Sequence, residues 1–378
     1  MKRKIRRQSP ETRPLFEAVS PHEAAVALDK DDLTRSLHAI EAEKDLAAIK
    51  NGIARIRQTI NSSNGDQCDP PNASGETVSL RRDVLISDLD QILDAQTVER
   101  ARYYVKRLTR AIGEAKTSKI NDINLRRWKE YTEVITDSLW VLPRRDTSGA
   151  HLGWYWGNFI PQIPHQLMLR YTKRGDWVLD PFLGSGTTLI ECRRLGRNGI
   201  GIELNPEIAE RSRQLVGQQP ARHGSITDVL SGDARSFDVG QALDARGVET
   251  VQLLVLHPPY HDIIEFSEDE RDLSRAATPE VYLKMFAEVL DNLAPVLEKG
   301  RYLALVIGDK YAKGEWIPLG FQCMNEVLNR GFSLKSIVVK NFDETRAKRD
   351  QKQLWRYRAL VGGFYIFKHE YVFIFKKN

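Results

Sequence analysis

Apolar residues recur at mostly three- and four-residue intervals through "DDLTRSLHAIEAEKDLAAIKNGIARIRQTI", at Leu33, Leu37, Ile40, Leu46, Ile49, Ile53 and Ile56. That spacing puts them on one face of a helix, with Asp31 or Asp32 placed to cap it. "NSSNGDQCDPPNASGET" interrupts the pattern with Asn, Ser, Gly and Pro and is a loop or linker. Helical spacing returns in "VSLRRDVLISDLDQILDAQTVERARYYVKRLTRAIGEA". Near residue 150 the pattern changes. Short apolar runs ("DWVLD", "NGIGIEL", "HGSITDVLSGDA", "VETVQLLVL", "RYLALVIGD") now alternate with helical stretches ("TTLIECRRLG", "PEIAERSRQLV", "PEVYLKMFAEVLDNLAPVL", "LGFQCMNEVLNRG"). Such alternation predicts an α/β fold, a mostly parallel sheet with helices on both faces. "SLKSIVVKNF" and "HEYVFIFKK" follow with no helix recognised between them, so the last strand is expected to run antiparallel. The expected division is a basic, disordered arm over 1–20, a helical region over 21–145 for recognition or oligomerisation, and the sheet domain over 146–378. No internal repeat is found.

Composition narrows this picture only slightly. The chain has 378 residues, 41% of them apolar, and a net charge of +5, a weak bias towards a polyanionic partner. Cys68, Cys192 and Cys323 form no CxxC pair. A disulfide framework or a metal site is therefore not expected, and a reducing compartment is. No apolar run is long enough for a membrane span. "MKRKIRRQSPETRP" is basic without the apolar core of a secretory signal; as an arm it can touch nucleic acid.

Open α/β sheets bind ligands beyond the carboxyl ends of their strands, so the turns there carry the candidate chemistry. "VLDPFLGSGTTLIECRRLGR" places Asp180, Pro181, Phe182, Gly184, Ser185, Gly186, Thr187 and Thr188 at the first. Its glycines let a ligand approach the backbone, but it is neither a dinucleotide nor a P-loop fingerprint. Glu203 closes the next strand about 20 residues on, where an acid can accept both hydroxyls of a ribose. Asp233, in "LSGDARSF", can accept from the amine of an adenine ring. Either acid alone is as well explained by a helix cap or a solvated loop. At successive strand ends, the three turns favour an adenosine-containing ligand without phosphates. The fourth turn is "HPPY", His257-Pro258-Pro259-Tyr260. Two prolines remove two N–H donors and fix two φ angles. They leave rigid carbonyl acceptors beside an aromatic ring, suited to a planar base with an amino group.

Together these residues resemble the S-adenosylmethionine-dependent amino-methyltransferases of nucleic acids, which modify cytosine N4 or adenine N6. "DPFLGSGTT" looks like the cofactor loop, "GIELN" like the ribose-binding turn, and "HPPY" like the catalytic Asp, Asn or Ser followed by Pro-Pro-Tyr or Pro-Pro-Phe. "GNFIPQIPHQLMLRYT", with Phe159 and Pro161, is similar to the segment closing over the methionine end. The cofactor loop precedes the tetrapeptide, which is the non-permuted order. The departure is His257, whose neutral imidazole offers one acceptor and one donor. The resemblance covers about residues 150 to 378. It implies a Rossmann-like doubly wound sheet of seven strands, S-adenosylmethionine as cofactor, DNA as partner, no metal and no membrane. It further implies a base flipped out of the duplex, a restriction–modification, phage-defence or solitary setting, and a cytoplasmic, nucleoid-associated location. Partnership with a second copy or a defence-system protein is left open. Two other classes compete: an RNA base methyltransferase and a cofactor-binding, non-catalytic subunit.

Four further segments remain. "KNFDETRAKRDQKQLWRYR" holds seven basic residues against three acids, counting from Lys340 to Arg358. Within it Arg346, Lys348, Arg349, Lys352, Trp355 and Arg356 are nucleic-acid candidates, with a solvated loop an equal alternative. "HDIIEFSEDERDLS" is a lid or a solvated acidic loop. Trp154 and Trp156 pack either on the cofactor or in the core. His369 and Glu370, in the last strand, are assigned to structure.

Overall fold

A computed structural model describes residues 25–62, 76–342 and 352–378. The arm, most of the linker with Cys68, and Arg346, Lys348 and Arg349 lie outside the described residues. The chain forms two compact units, one reaching Lys119 and including Ile123–Glu133, the other Ile120–Asp122 and Val134–Asn378.

The first unit holds α1 (Lys30–Ala42), α2 (Leu46–Ser62), α3 (Arg82–Leu93) and α4 (Val98–Gly113) around a core that includes Leu37, Ile49, Ile53, Leu89 and Val105. Asp29 caps α1 by accepting from the Asp32 backbone N–H, so Asp31 and Asp32 lie in the first turn instead. Two strands interrupt the helical pattern. β1 (Ala25–Asp29) pairs antiparallel with β2 (Thr77–Arg81), so "VSLR" is extended although it reads on into helix. Its β-branched and apolar residues take the strand because a partner some 50 residues away supplies the ladder, which local spacing does not encode.

The second unit is built on one eight-stranded sheet of order β3-β11-β12-β8-β7-β4-β5-β6. These strands are β3 (Leu139–Trp140), β4 (Trp177–Asp180), β5 (Asn198–Glu203), β6 (Thr227–Ser231), β7 (Val251–Leu256), β8 (Leu297–Ile307), β11 (Phe332–Asn341) and β12 (His369–Lys377). Seven are the strands expected from the sequence; the two-residue β3 adds an edge. Only β12 runs antiparallel, to both β11 and β8. Helices α5 (Gln162–Tyr171) to α10 (Leu319–Leu328) cover the sheet, and β9 (Lys310–Ala312) pairs with β10 (Glu315–Ile317) beside it. A further helix, α11 (Lys352–Gly362), lies between β11 and β12.

The continuous apolar runs follow from burial on both faces. Along β7, Leu254 and Leu256 enter one cluster with Phe286, Val289 and Leu293 of α9 (Pro279–Leu293). Leu253 and Val255 enter the other, with Leu167 of α5 and Ile190 of α6 (Thr187–Leu195). Each such side chain contributes about 1.5–3 kcal/mol, so the central strands are rigid supports. The chain runs outward from β4 through β5 to β6, then returns to place β7 on the other side of β4. This reversal is the switch point at which such sheets hold ligands. Among the described residues no helix is long and apolar enough to cross a membrane, and no group of metal-ligating side chains occurs.

Candidate active site

A cavity of about 930 Å³ opens at the carboxyl ends of β4, β5, β6, β7 and β8. Phe159, Pro181, Phe182, Gly184, Glu203, Asp233, His257, Pro258, Pro259 and Tyr260 all line it. Five sequence-derived turns and segments thus meet in one space.

Asp180, Thr188, Ser185, Gly186, Thr187 and Pro161 do not line the cavity. Asp180 is 1% exposed and accepts from Thr188 Oγ1 at 2.5 Å and from the Phe182 backbone N–H at 3.0 Å. Burial raises its pKa to about 6 against those hydrogen bonds. Gly184 and Gly186 have φ of +54° and +84°, the left-handed region that favours glycine. A Cβ on Gly184 would stand 3.0 Å from the Tyr155 ring, and one on Gly186 2.7 Å from Val216. The loop is tied from outside by Asn158, which donates to Ser185 Oγ and accepts from Thr187 Oγ1.

Glu203 is 8% exposed. Its two oxygens accept from the backbone N–H groups of Gly184 at 2.8 Å and Asn205 at 3.0 Å. Burial raises its pKa to about 7, the two N–H groups oppose the rise, and Asp180 and Asp272 add to it. A carboxylate has about four lone-pair positions, so each oxygen keeps one for a ligand. Asp233 also lines the cavity, with its carboxylate held by Arg235 at 2.8 Å.

The tetrapeptide leaves β7 as a rigid turn. The Pro259 carbonyl is taken by Tyr282 Oη at 2.7 Å. The Pro258 carbonyl accepts no hydrogen bond among the described residues. His257 packs on Phe159, with ring centroids 4.8 Å apart, and its Nε2 lies 3.3 Å from Tyr260 Oη. Tyr260 Oη donates to Glu370 Oε2 at 2.9 Å, and Lys340 Nζ stands 3.0 Å from Glu370 Oε1. Burial pushes His257 down to about 4, so the imidazole is neutral near pH 7.

The acidic segment after the tetrapeptide forms a wall of the cavity through Ile264, Phe266 and Leu273. Three of its six acids are paired: Asp269 with Arg271, Glu265 with Arg275, and Asp262 with Lys310. Phe266 stacks on Tyr155 with centroids 5.7 Å apart. Trp156 stands 55% exposed at the cavity, whereas Trp154 packs against the core beneath Arg211. Among the nucleic-acid candidates, Lys352 opens α11, Trp355 lines the cavity and Arg356 is exposed. Lys340 is not a surface cation, since its side chain is buried against Glu370.

Several cavity residues escaped the sequence reading. Asn158 sits in the quoted segment "GNFIPQIPHQLMLRYT" and Tyr155 between Trp154 and Trp156, where aromatic density is the signal but assigns no roles. Glu370 lines the cavity, which its assignment to structure does not anticipate; an acid sharing a strand face with Val372 and Ile374 is the available signal.

A sequence model of the N6/N4 class, described as DNA methylase, matches residues 86–214 and 251–378, more than half of the chain. Type II methyltransferase M.MjaII of Methanocaldococcus jannaschii is 48% identical over 52 residues, 14% of this chain and 10% of that one. M.XycI of Xanthomonas campestris pv. cyanopsidis is 40% identical over 82 residues, 21% and 26% of the two chains. A tRNA (guanine(10)-N2)-dimethyltransferase of Methanothermobacter thermautotrophicus is 27% identical over 154 residues, 40% and 39%. Each match spans well under two thirds of the relative's length. With its four turns gathered in one cavity and this family's model matching across both halves of the sheet, the chain belongs to the DNA methylase family.

Proposed function

We propose that this protein transfers a methyl group from S-adenosylmethionine to the exocyclic amine of a cytosine (N4) or adenine (N6) in DNA, with the base flipped out of its stack. The observation that carries this reading is the pair of groups at the end of β7 left unpartnered among the described residues, the Pro258 carbonyl and the His257 ring nitrogen Nδ1, which belong to residues of the cavity that Gly184 and Glu203 also line. The cofactor supplies an electrophilic methyl on a sulfonium. The cavity fits such a group: Gly184 leaves backbone open where a Cβ would press on Tyr155, and Glu203 retains an acceptor position on each oxygen for ribose hydroxyls. Asp233, which lines the same cavity, would accept from an adenine amine, Phe159 and Pro181 line it beside the loop, and Asp180 holds the loop through Thr188.

An exocyclic amine is a poor nucleophile because its lone pair is delocalised into the ring. One N–H to His257 and one to the Pro258 carbonyl draw the nitrogen towards tetrahedral geometry and aim its lone pair at the methyl. Holding the two at about 3–3.5 Å supplies much of the rate. The Tyr260 ring forms the cavity wall against the base. Arg356 and Trp355, with Arg346, Lys348, Arg349 and Lys352, grip phosphate and stack on displaced bases. The sheet domain over 146–378 carries the reaction, and the helical region over 21–145 recognises sequence or holds a partner.

The tRNA-modifying relative motivates a second reading, RNA as substrate. Incubation with radiolabelled methyl donor and duplex DNA, single-stranded DNA or tRNA transcripts decides between them. Label in DNA as N4-methylcytosine or N6-methyladenine supports the proposal; label confined to RNA replaces it with the second reading.

A further inference from the structure

Glu370 and Lys340 stand directly opposite each other across β11 and β12. They are 8% and 5% exposed, and burying an ion pair costs free energy that the attraction alone seldom returns. This pair does more than close on itself. Glu370 uses Oε1 for Lys340 at 3.0 Å and Oε2 for Tyr260 Oη at 2.9 Å, and Tyr260 Oη stands 3.3 Å from His257 Nε2. A line of four side chains, buried at Lys340 and Glu370 and half-buried at Tyr260 and His257, therefore ends at the first residue of the tetrapeptide.

Hydrogen-bond polarity along that line admits one direction. Burial would raise Glu370, but the Lys340 ammonium first, with the hydrogen bonds from Lys340 and Tyr260, outweighs it, and the acid is held below its ordinary value. As a carboxylate it only accepts, so the tyrosine hydroxyl must donate to it. The same hydroxyl then has only lone pairs to turn towards His257, and Nε2 must carry a proton. In a neutral imidazole the other nitrogen, Nδ1, is then the bare acceptor. Among the described residues Nδ1 has no partner.

We propose that Glu370, anchored by Lys340, is a positioning residue that acts through Tyr260 to fix His257 in its Nε2–H tautomer, presenting Nδ1 as the acceptor for the target amine. This rests on the methyl-transfer reading above for its purpose, though not for its geometry. It explains how histidine can stand where the resembling enzymes carry an oxygen acceptor. An imidazole free to exchange tautomers would turn an N–H at the amine part of the time and repel it. It also gives the last strand a role in the site.

The test is two-bond ¹H–¹⁵N correlation at pH 7.5 on the full chain labelled with ¹⁵N-histidine, with His257→Asn identifying the resonance. Wild type should show a proton on Nε2 alone. Glu370→Gln lets the amide donate to the tyrosine, so the line can reverse and Nδ1–H should become populated. Lys340→Met/Glu370→Gln should behave alike, and it removes the stranded lysine should the single variant fold poorly. Both should lower kcat on DNA by about tenfold, the worth of one hydrogen bond, while the cofactor Kd stays within about twofold. A wild type carrying Nδ1–H overturns the proposal, as does a double variant with unchanged tautomer and unchanged kcat. A wild type locked in Nε2–H that methylates neither DNA nor RNA supports the lock and overturns the methyl-transfer reading.

Discussion

Glu203→Gln should separate stability from cofactor binding. The wild-type acid is raised from 4.5 to about 7, so its ionised form costs the folded chain about 3 kcal/mol at pH 8. Glutamine carries no charge and escapes that cost. Its single carbonyl oxygen can serve only one of the Gly184 and Asn205 N–H groups that the two carboxylate oxygens now serve. The orphaned group costs about 1–3 kcal/mol. The two effects nearly cancel, leaving the free variant as stable as wild type or up to about 2 kcal/mol more stable. In a unit of this size that is a Tm change between zero and about +8 °C. Binding has no such compensation. Exchanging a charged acceptor of two ribose hydroxyls for a neutral one loses about 3 kcal/mol, on the order of 10²-fold in Kd. The sign with pH follows from the raised value. The stability that the protonated wild-type acid contributes is fully present below about pH 4.5 and is lost as pH rises through about 7. The variant's relative advantage should therefore be largest at pH 8 and shrink by pH 5. Urea unfolding at both pH values and titration calorimetry with S-adenosylmethionine measure these quantities. A variant that loses more than about 2 kcal/mol of stability at pH 8 yet binds cofactor like wild type would refute the reasoning.

Other substitutions and conditions probe separate parts of the site. Gly184→Ala forces a Cβ against Tyr155 at a φ of +54°; it should cost about 1–3 kcal/mol and weaken cofactor about tenfold, read by thermal unfolding and calorimetry. Thr188→Val strands the buried Asp180 oxygen now 2.5 Å from the hydroxyl, costing about 1–3 kcal/mol in urea unfolding. Arg356→Ala should weaken DNA binding evenly across sequences and reduce the slope of log K against log salt by about one. With saturating cofactor the methylation rate should stay level from pH 8 to about 5.5, because His257 is neutral until about pH 4. At limiting cofactor the rate should fall as pH drops below about 7, when Glu203 protonates.

The sheet domain was largely legible because its signals are local. Each strand is a continuous apolar run, and the cavity-lining residues cluster at the ends of those runs, beside "GSG", "IEL" and "HPPY". β12 does run antiparallel, but the ground for expecting it, the lack of a helix between the last two strands, fails, because α11 lies there. What escaped depends on pairing across distance. β1 and β2 are strands only because they meet each other. Lys340 looked like one more cation in a basic segment until its register opposite Glu370 placed it inside. Asp180 lies one residue from the cavity lining, and a motif does not distinguish a ligand contact from the support beneath it. His257 was legible as a departure from the resembling tetrapeptide, but its tautomer is set by Tyr260 and Glu370, the latter 110 residues from Tyr260.

The most direct measurement is nucleoside mass spectrometry of genomic DNA and total RNA from cells expressing wild type or Pro258→Ala with His257→Ala. The account predicts N4-methylcytosine or N6-methyladenine in DNA with wild type and its loss with the double variant. Methylated nucleosides in RNA alone, or equal DNA methylation by both proteins, would contradict it.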